Sequence, residues 1–310
     1  MNKPFDVITF SDMCVDLIIS GRDVVPQFGQ VEKLVEDYTL ELGGSCNIFA
    51  CQAAKLGLHT AVLGRVGDDS FGRLILQRLQ DCGVDTRYVI VDPSLKTGIG
   101  VALCPPGDRA ILTYMGTINA VFPEDITPDI LASTRHIHHG SHYLHTNLLP
   151  GISAIFKQAR GLGLSTSLDP NWDPAERWDG ELSKILPDTE LFFPNDQEAL
   201  HISRTERLET AAQYFLNLGV QMVAIKAGIQ GSHVYTPQAT LSQSVTPVSG
   251  GDSIGAGDSF DAGFLAGWLR GYPLEKCLDI ATRCGRSVAS QIGGLAGQPA
   301  WEDLNDMAIN

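Results

Sequence analysis

The chain has 310 residues, 44% of them hydrophobic and 19% charged, which is the make-up of a globular protein with room for a substantial core. A net charge of −14 argues against a nucleic-acid partner, whose phosphates need a basic face. No signal core follows Met1 and no apolar run reaches the roughly 18 residues of a membrane span, while seven cysteines without a C-x-x-C pair suggest reduced thiols in a cytoplasmic protein rather than disulfides or zinc.

Residues 5–10 (FDVITF) read as a first buried strand, followed by β-prone runs at 14–20 and 33–41. Gly43-Gly44 breaks the chain, and from Ser45 a helical pattern runs through Phe49, Ala53 and Leu56, with Gly57 as its C-terminal cap. A strand at 60–64 follows, then a helix carrying Phe71, Leu74, Ile75 and Leu79 that Gly83 ends. Within 98–115, GIGVALC and AILTYM flank Pro105-Pro106-Gly107-Asp108, the pattern of a hairpin. Together with 14–20 and 33–41 it makes a small separate sheet, or else supplies two edge strands of the main sheet.

After about residue 135, strand-like runs near 136–140, 164–169, 190–194 and 220–226 alternate with helical patterns at 150–160, 180–186 and 206–218. Such alternation predicts an α/β fold built on a doubly wound, mostly parallel sheet flanked by helices. No repeat or linker interrupts residues 1–310, so one α/β domain with a small β appendage is the economical reading. His136, His138, His139, His142 and His145 fall on or just after one of these strands. Alternate strand residues face opposite sides, so they do not converge on a metal without a bend. They read as sheet-end residues.

The most informative stretch is Asp252-Ser253-Ile254-Gly255-Ala256-Gly257-Asp258-Ser259-Phe260. Phe260, Phe264 and Trp268 recur at i, i+4, i+8, so a helix begins near Gly257. Gly255-Ala256-Gly257 leaves the preceding turn nearly free of side chains, and its N–H groups sit at the positive end of the helix dipole. That suits the charge developed in phosphoryl transfer. Asp258 stands where it can take the proton of an attacking hydroxyl. In isolation the same residues also fit a capped helix after a tight turn. A dinucleotide turn needs G-x-G-x-x-G after an early strand, which this late G-x-G-D-S-F does not provide.

Residues 252–264 resemble the C-terminal signature of the ribokinase-like, or PfkB-type, carbohydrate kinases, D-T-x-G-A-G-D-[ST]-F, with Ser253 for the common Thr. The resemblance implies that Gly255, Ala256 and Gly257 form an anion hole, that Asp258 is the base activating a sugar hydroxyl, and that Asp252 helps hold a monovalent cation such as K+. Residues 43–72 are similar to the family's N-terminal signature, which places Gly43, Gly44 and Asn47 against sugar hydroxyls. Ser11-Asp12-Met13-Cys14-Val15-Asp16 matches a G-[DES]-x-x-x-D pattern, assigning Asp16 and Asp12 to the sugar, with Cys14 where ribose-specific members often carry Asn. Asn195-Asp196-Gln197-Glu198 resembles N-x-x-E, which arranges Mg2+ and its waters, and Lys226, Gly228 and Gly231 match a [TK]-x-G-x-x-G turn beneath the ATP phosphates. Residues 281–294 look like the helix closing the adenine pocket.

The family implies lid strands from about 14–41 and 98–115, and a homodimer clasped through them. Asp169-Pro170-Asn171-Trp172-Asp173 is similar to a D-x-N-x-R segment of fructokinase-like and ketodeoxygluconate-kinase-like members, with Asp173 where Arg is usual. An Asp would repel a carboxylate that Arg grips, which favours a neutral sugar over a sugar acid unless Arg177 or Arg109 reaches it. Competing readings are a nucleoside kinase of the same fold and a sugar-binding regulator without catalysis.

Overall fold

The computed structural model describes residues 3–105, 109–249 and 251–306. The strands are β1 (Phe5–Phe10), β2 (Cys14–Ser20), β3 (Asp37–Gly43), β4 (Thr60–Gly67), β5 (Asp85–Asp92), β6 (Gly98–Cys104), β7 (Ala110–Tyr114), β8 (Thr134–His139), β9 (Ser165–Leu168), β10 (Leu191–Phe192), β11 (Met222–Lys226), β12 (Ser232–Tyr235) and β13 (Thr240–Gln243). The α-helices are α1 (Ser45–Lys55), α2 (Ser70–Asp81), α3 (Pro128–Ala132), α4 (Leu149–Gly161), α5 (Leu182–Ile185), α6 (Asp196–Ser203), α7 (Leu208–Asn217), α8 (Ala256–Leu269), α9 (Leu274–Ala289) and α10 (Asp303–Asp306).

Nine strands form one sheet in the order β13-β12-β11-β10-β9-β8-β1-β4-β5. It is parallel from β5 to β11, and β12 and β13 add antiparallel at one edge. The chain builds outward from β1 through β4 to β5, then returns to lay β8 on the other side of β1. The crevice beyond the ends of β1 and β8 is therefore a topological switch point, where α/β sheets bind ligands.

Both faces of the sheet are covered because successive strand residues point to opposite sides. Val7 packs with Phe49, Phe264 and Leu278 under α1, α8 and α9. Ile8 and Phe10 pack with Leu131, Phe156 and Phe215 under α3, α4 and α7. Gly57, at φ 82, closes α1 from just beyond its last turn, and its N–H donates to the Ala54 carbonyl at 2.8 Å.

The second sheet runs β3-β2-β6-β7, with β6 and β7 antiparallel as the hairpin pattern predicts. Of the predicted turn, Pro106–Asp108 lie outside the described residues. The strand expected at 33–41 is displaced: residues 33–36 stay irregular, and β3 takes its place at 37–43, where seven residues pair with β2. The helix expected across 281–294 stops at Ala289, ahead of Gly293 at φ 83. No helix among the described residues is long and apolar enough to cross a membrane.

Candidate active site

The switch-point crevice is assembled around Asp12, just beyond β1. Its carboxylate accepts from Ser45 N at 2.8 Å, Cys46 N at 3.0 Å and the Ser141 hydroxyl at 2.5 Å. Helix α1 has no side-chain cap of its own, so Asp12 supplies the negative charge that its N-terminus favours. Asp12, expected against the sugar, spends its carboxylate oxygens on these three protein donors. The side chain is 3% exposed, and its oxygens join β1, α1 and the turn after β8. Asn47 is likewise fully buried: its Oδ1 accepts from the Ser11 hydroxyl and its Nδ2 donates to the Gly43 carbonyl at 2.8 Å. The amide thus braces the Gly43-Gly44 turn from behind. Gly44 sits at φ 87, where a Cβ would come within 2.3 Å of the Asp12 carbonyl oxygen, so only glycine fits.

Asp16 lies on β2, the strand between β3 and β6. Two glycines leave the space it fills: a Cβ on Gly43 would lie 2.5 Å from its Cγ, and one on Gly100 2.7 Å from its Oδ1. Burial pushes the Asp16 carboxyl up to about 7, with Asp12 reinforcing the shift and Arg109 opposing it.

Gly255, at φ 73, turns the chain into α8. Its carbonyl accepts from Ser259 N at 3.0 Å, so the helix geometry leaves the N–H groups of Gly257 and Asp258 outside the intrahelical ladder, while Ala256 N donates to the Ser253 carbonyl at 3.4 Å. Asp258 Oδ1 accepts from the Ser45 hydroxyl, joining the first turn of α8 to that of α1. Ser45 also lies 3.4 Å from Asn171 Oδ1, which accepts from Ser141 N at 3.1 Å. Burial raises the Asp258 carboxyl to about 7, and the neighbouring Asp169 adds to the shift against the Ser45 hydrogen bond and Lys226.

Beyond the next strands, Asn195 and Glu198 form a reciprocal cap on α6. Asn195 Oδ1 accepts from Glu198 N, and Glu198 Oε2 accepts from Asn195 N, each at 2.8 Å. The Glu198 carboxyl, 5% exposed, is raised to about 8 by burial and then by Asp169. Lys226, expected beneath the ATP phosphates, turns its ammonium toward Asp169 at 2.6 Å and Asp261 at 3.2 Å. Gly228 and Gly231, at φ 54 and 94, shape the turn after β11. Asp252 accepts from Ile254 N at 2.8 Å and Gly293 N at 3.0 Å, joining the approach to α8 to the segment after α9.

Asp173 does not have the role inferred from its charge. Buried to 5% exposure, it accepts from the N–H groups of Ala175, Arg177 and Trp178 at 2.8–2.9 Å. It thereby orders a loop in which Asn171, Glu176, Trp178 and Glu181 all adopt positive φ. Its negative charge is satisfied inside the loop, so the argument against a sugar acid loses its basis. The histidines divide: His136 and His138 bond Ser165 and Ser167, whereas the short turn at His142–Leu144 gathers His139, His142 and His145. Burial holds His142 and His145 down to about 4. Among the described residues no group of His, Cys, Asp and Glu is arranged to hold a metal.

The site therefore gathers Asp12, Asp16, Gly43, Gly44, Gly255–Gly257 and Asp258 around one crevice, with Asn195 and Glu198 on its flank. Ser45, Ser141 and Asp261 join the site without a signal in the sequence, and Asp169 and Asn171, which the D-x-N segment ties to the choice of sugar, join it through Lys226, Ser45 and Ser141. For Asp169 and Asn171 the signal was their place directly after a central strand.

The chain matches the model of the pfkB family carbohydrate kinases over residues 5–301. It is 32% identical, over 81% of this chain and 99% of the relative, to an uncharacterized sugar kinase of Archaeoglobus fulgidus. It is 30% identical to the ATP-dependent ribose-1-phosphate kinase of Halopiger xanaduensis, over 83% of each chain. Among solved structures, a ribokinase II-type protein of E. coli in complex with ATP and Mg2+ superposes with a TM-score of 0.85 at 25% identity, covering 97% of this chain and 98% of that one. A match of this extent, with relatives at this identity over most of both chains, shows that the protein belongs to the pfkB family and is an ATP-dependent sugar kinase.

Proposed function

We propose that the protein transfers the γ-phosphoryl group of ATP to a hydroxyl of a sugar bound between the switch-point crevice and the small β lid, with Asp258 as general base. One observation carries this reading. The Asp258 carboxylate sits in the first turn of α8, beside the Gly255–Gly257 turn, and is oriented by the Ser45 hydroxyl. Asp16 and the Gly43-Gly44 backbone bind sugar hydroxyls, while Asp12 and Asn47 hold those groups in place from within. Asp258 takes the proton of the attacking hydroxyl. The helix-start N–H groups stabilise the charge on the phosphoryl group in flight. Asn195, Gly228 and Gly231 line the ATP phosphates.

Glu198 suits Mg2+ held through water. It is an oxygen donor among Asp169, Asp258 and Asp261, with Lys226 as the neighbouring cation, and a divalent ion relieves that excess charge. When bound, Mg2+ screens the charge of the ATP phosphates. Asp252, with one N–H on each oxygen, keeps lone pairs for a K+ ion. Seven unpaired thiols fit a cytoplasmic setting.

The base assignment has a pH signature. A carboxyl raised to about 7 is protonated below that pH and cannot accept the hydroxyl proton. kcat/KM is therefore expected to fall as pH drops through about 7, with the Asp16 carboxyl, also raised to about 7, titrating in the same range. A flat profile between pH 5.5 and 8, a range chosen to bracket that value, removes the assignment.

We further infer a homodimer through the lid. Tyr38 on β3 and Ile111, Leu112 and Tyr114 on β7, the two edge strands of the small sheet, are 51–69% exposed and leave large apolar groups uncovered there. Sedimentation velocity is expected to give twice the chain mass, and a single species at 33.4 kDa excludes the dimer.

A further inference from the structure

Lys226 ends β11, and its side chain is only 13% exposed. Its ammonium donates to Asp169 Oδ2 at 2.6 Å and lies 3.2 Å from both oxygens of Asp261. Asp169 directly follows β9, and Asp261 lies in the second turn of α8; their side chains are 5% and 0% exposed. Three elements thus meet at one cation. The meeting point lies against the glycine turn, since a Cβ on Gly257 would stand 3.5 Å from Lys226 Nζ. An ammonium has three donors, and two carboxylates engage it here. Breaking such a buried pair from one side leaves an uncompensated charge, so the lysine is held in this geometry.

We propose that Lys226 is a positioning residue for phosphoryl transfer: clamped by Asp169 and Asp261, it fixes the first turns of α8 against β9 and β11 and sets the orientation and charge of Asp258. This role differs from that of a phosphate ligand, which the sequence pattern alone suggests for it. The groups facing Asp258 are Asp169 after β9, Lys226 on β11, Asp12 after β1, Glu198 on α6, Asp261 on α8, and the Ser45 hydroxyl and Cys46 thiol on α1. Lys226 is the cation among them, so its charge favours the ionised base against four carboxyls and a thiol. The inference rests on Asp258 as the base.

The test compares Lys226→Met, Lys226→Gln and Lys226→Arg in the full chain. Circular dichroism first establishes which variants fold; Gln keeps a hydrogen-bond donor for Asp169 if Met does not. Carboxyl 13C NMR then follows the titration of Asp258, recognised by the resonance missing from Asp258→Asn. Calorimetry with ATP and Mg2+ measures nucleotide affinity. Loss of the cation is expected to move the Asp258 titration up by about one pH unit or more, with ATP affinity within about threefold of wild type and Arg restoring the titration. An unmoved titration together with ATP binding weakened tenfold or more makes Lys226 a phosphate ligand and overturns the proposal. An unmoved titration with unchanged ATP affinity overturns it as well. Neither readout requires turnover, so failure here is distinct from failure of the base assignment, which near-normal kcat in Asp258→Asn would show.

Discussion

Asp258→Asn is expected to lower kcat by about a thousandfold while leaving the KM values for sugar and ATP within a few-fold of wild type. The amide matches the carboxylate in shape, and its oxygen still accepts from the Ser45 hydroxyl that orients Asp258. What it lacks is a site for the proton of the attacking hydroxyl. Ground-state binding through Asp16, the Gly43-Gly44 turn and the nucleotide side is untouched, so the loss falls on the chemical step. Steady-state ADP formation measures it directly. A kcat within tenfold of wild type would mean that another group, or solvent, takes the proton.

Gly255→Ala is expected to reduce kcat by about a hundredfold through a different route. Gly255 adopts φ 73, where an L side chain costs about 1–2 kcal/mol. Its Cβ would stand 2.7 Å from Gly294 Cα and 2.9 Å from Ile48 Cγ2. Gly294 presents backbone there, which cannot swing aside as a flexible side-chain end can. The turn must shift, and the helix-start N–H groups move with it, away from the phosphoryl group they stabilise. Donors of this kind act through their exact placement, so a displacement well under the width of an atom is enough to impair them. The effect should appear in kcat with the circular dichroism spectrum preserved. A folded variant with kcat within threefold of wild type would separate the turn from catalysis.

The features of this fold that were legible in the sequence are those with a local physical cause. The apolar stripe Phe260, Phe264, Trp268 marks α8, and glycines close α1 and α2. The antiparallel pairing of β6 and β7 follows from two β-prone runs on either side of the sequence Pro105-Pro106-Gly107-Asp108. Strand β5 leaves little signal in the sequence because its charged ends and half-exposed middle blur the alternation of an edge strand. Strand β13, Thr-Leu-Ser-Gln, carries too little apolar character to register and is defined by its pairing with β12.

At the site, the distinction is between presence and direction. A motif locates Asp12 and Asn47 at the crevice, but only the packing of β1 against α1 shows that their polar atoms are turned inward. The contact of Ser45 with Asp258 spans 213 residues, and no local pattern encodes it. Asp173 gives the same lesson for charge. Read as a free carboxylate it would repel an acidic substrate, yet the loop folds three of its own N–H groups onto it. Lys226, read as a cation for phosphate, meets two carboxylates brought in by β9 and α8.

The most direct test of the central claim is ADP formation from ATP and Mg2+ with ribose, fructose, 2-keto-3-deoxygluconate, other sugars and nucleosides offered singly, in KCl and in a tetramethylammonium salt, with Asp258→Asn alongside. Turnover that requires one of the sugars, rises with K+ and disappears in Asp258→Asn is the predicted result. Sugar-dependent ADP formation that survives undiminished in Asp258→Asn, or sugar and ATP binding without any ADP, would contradict it.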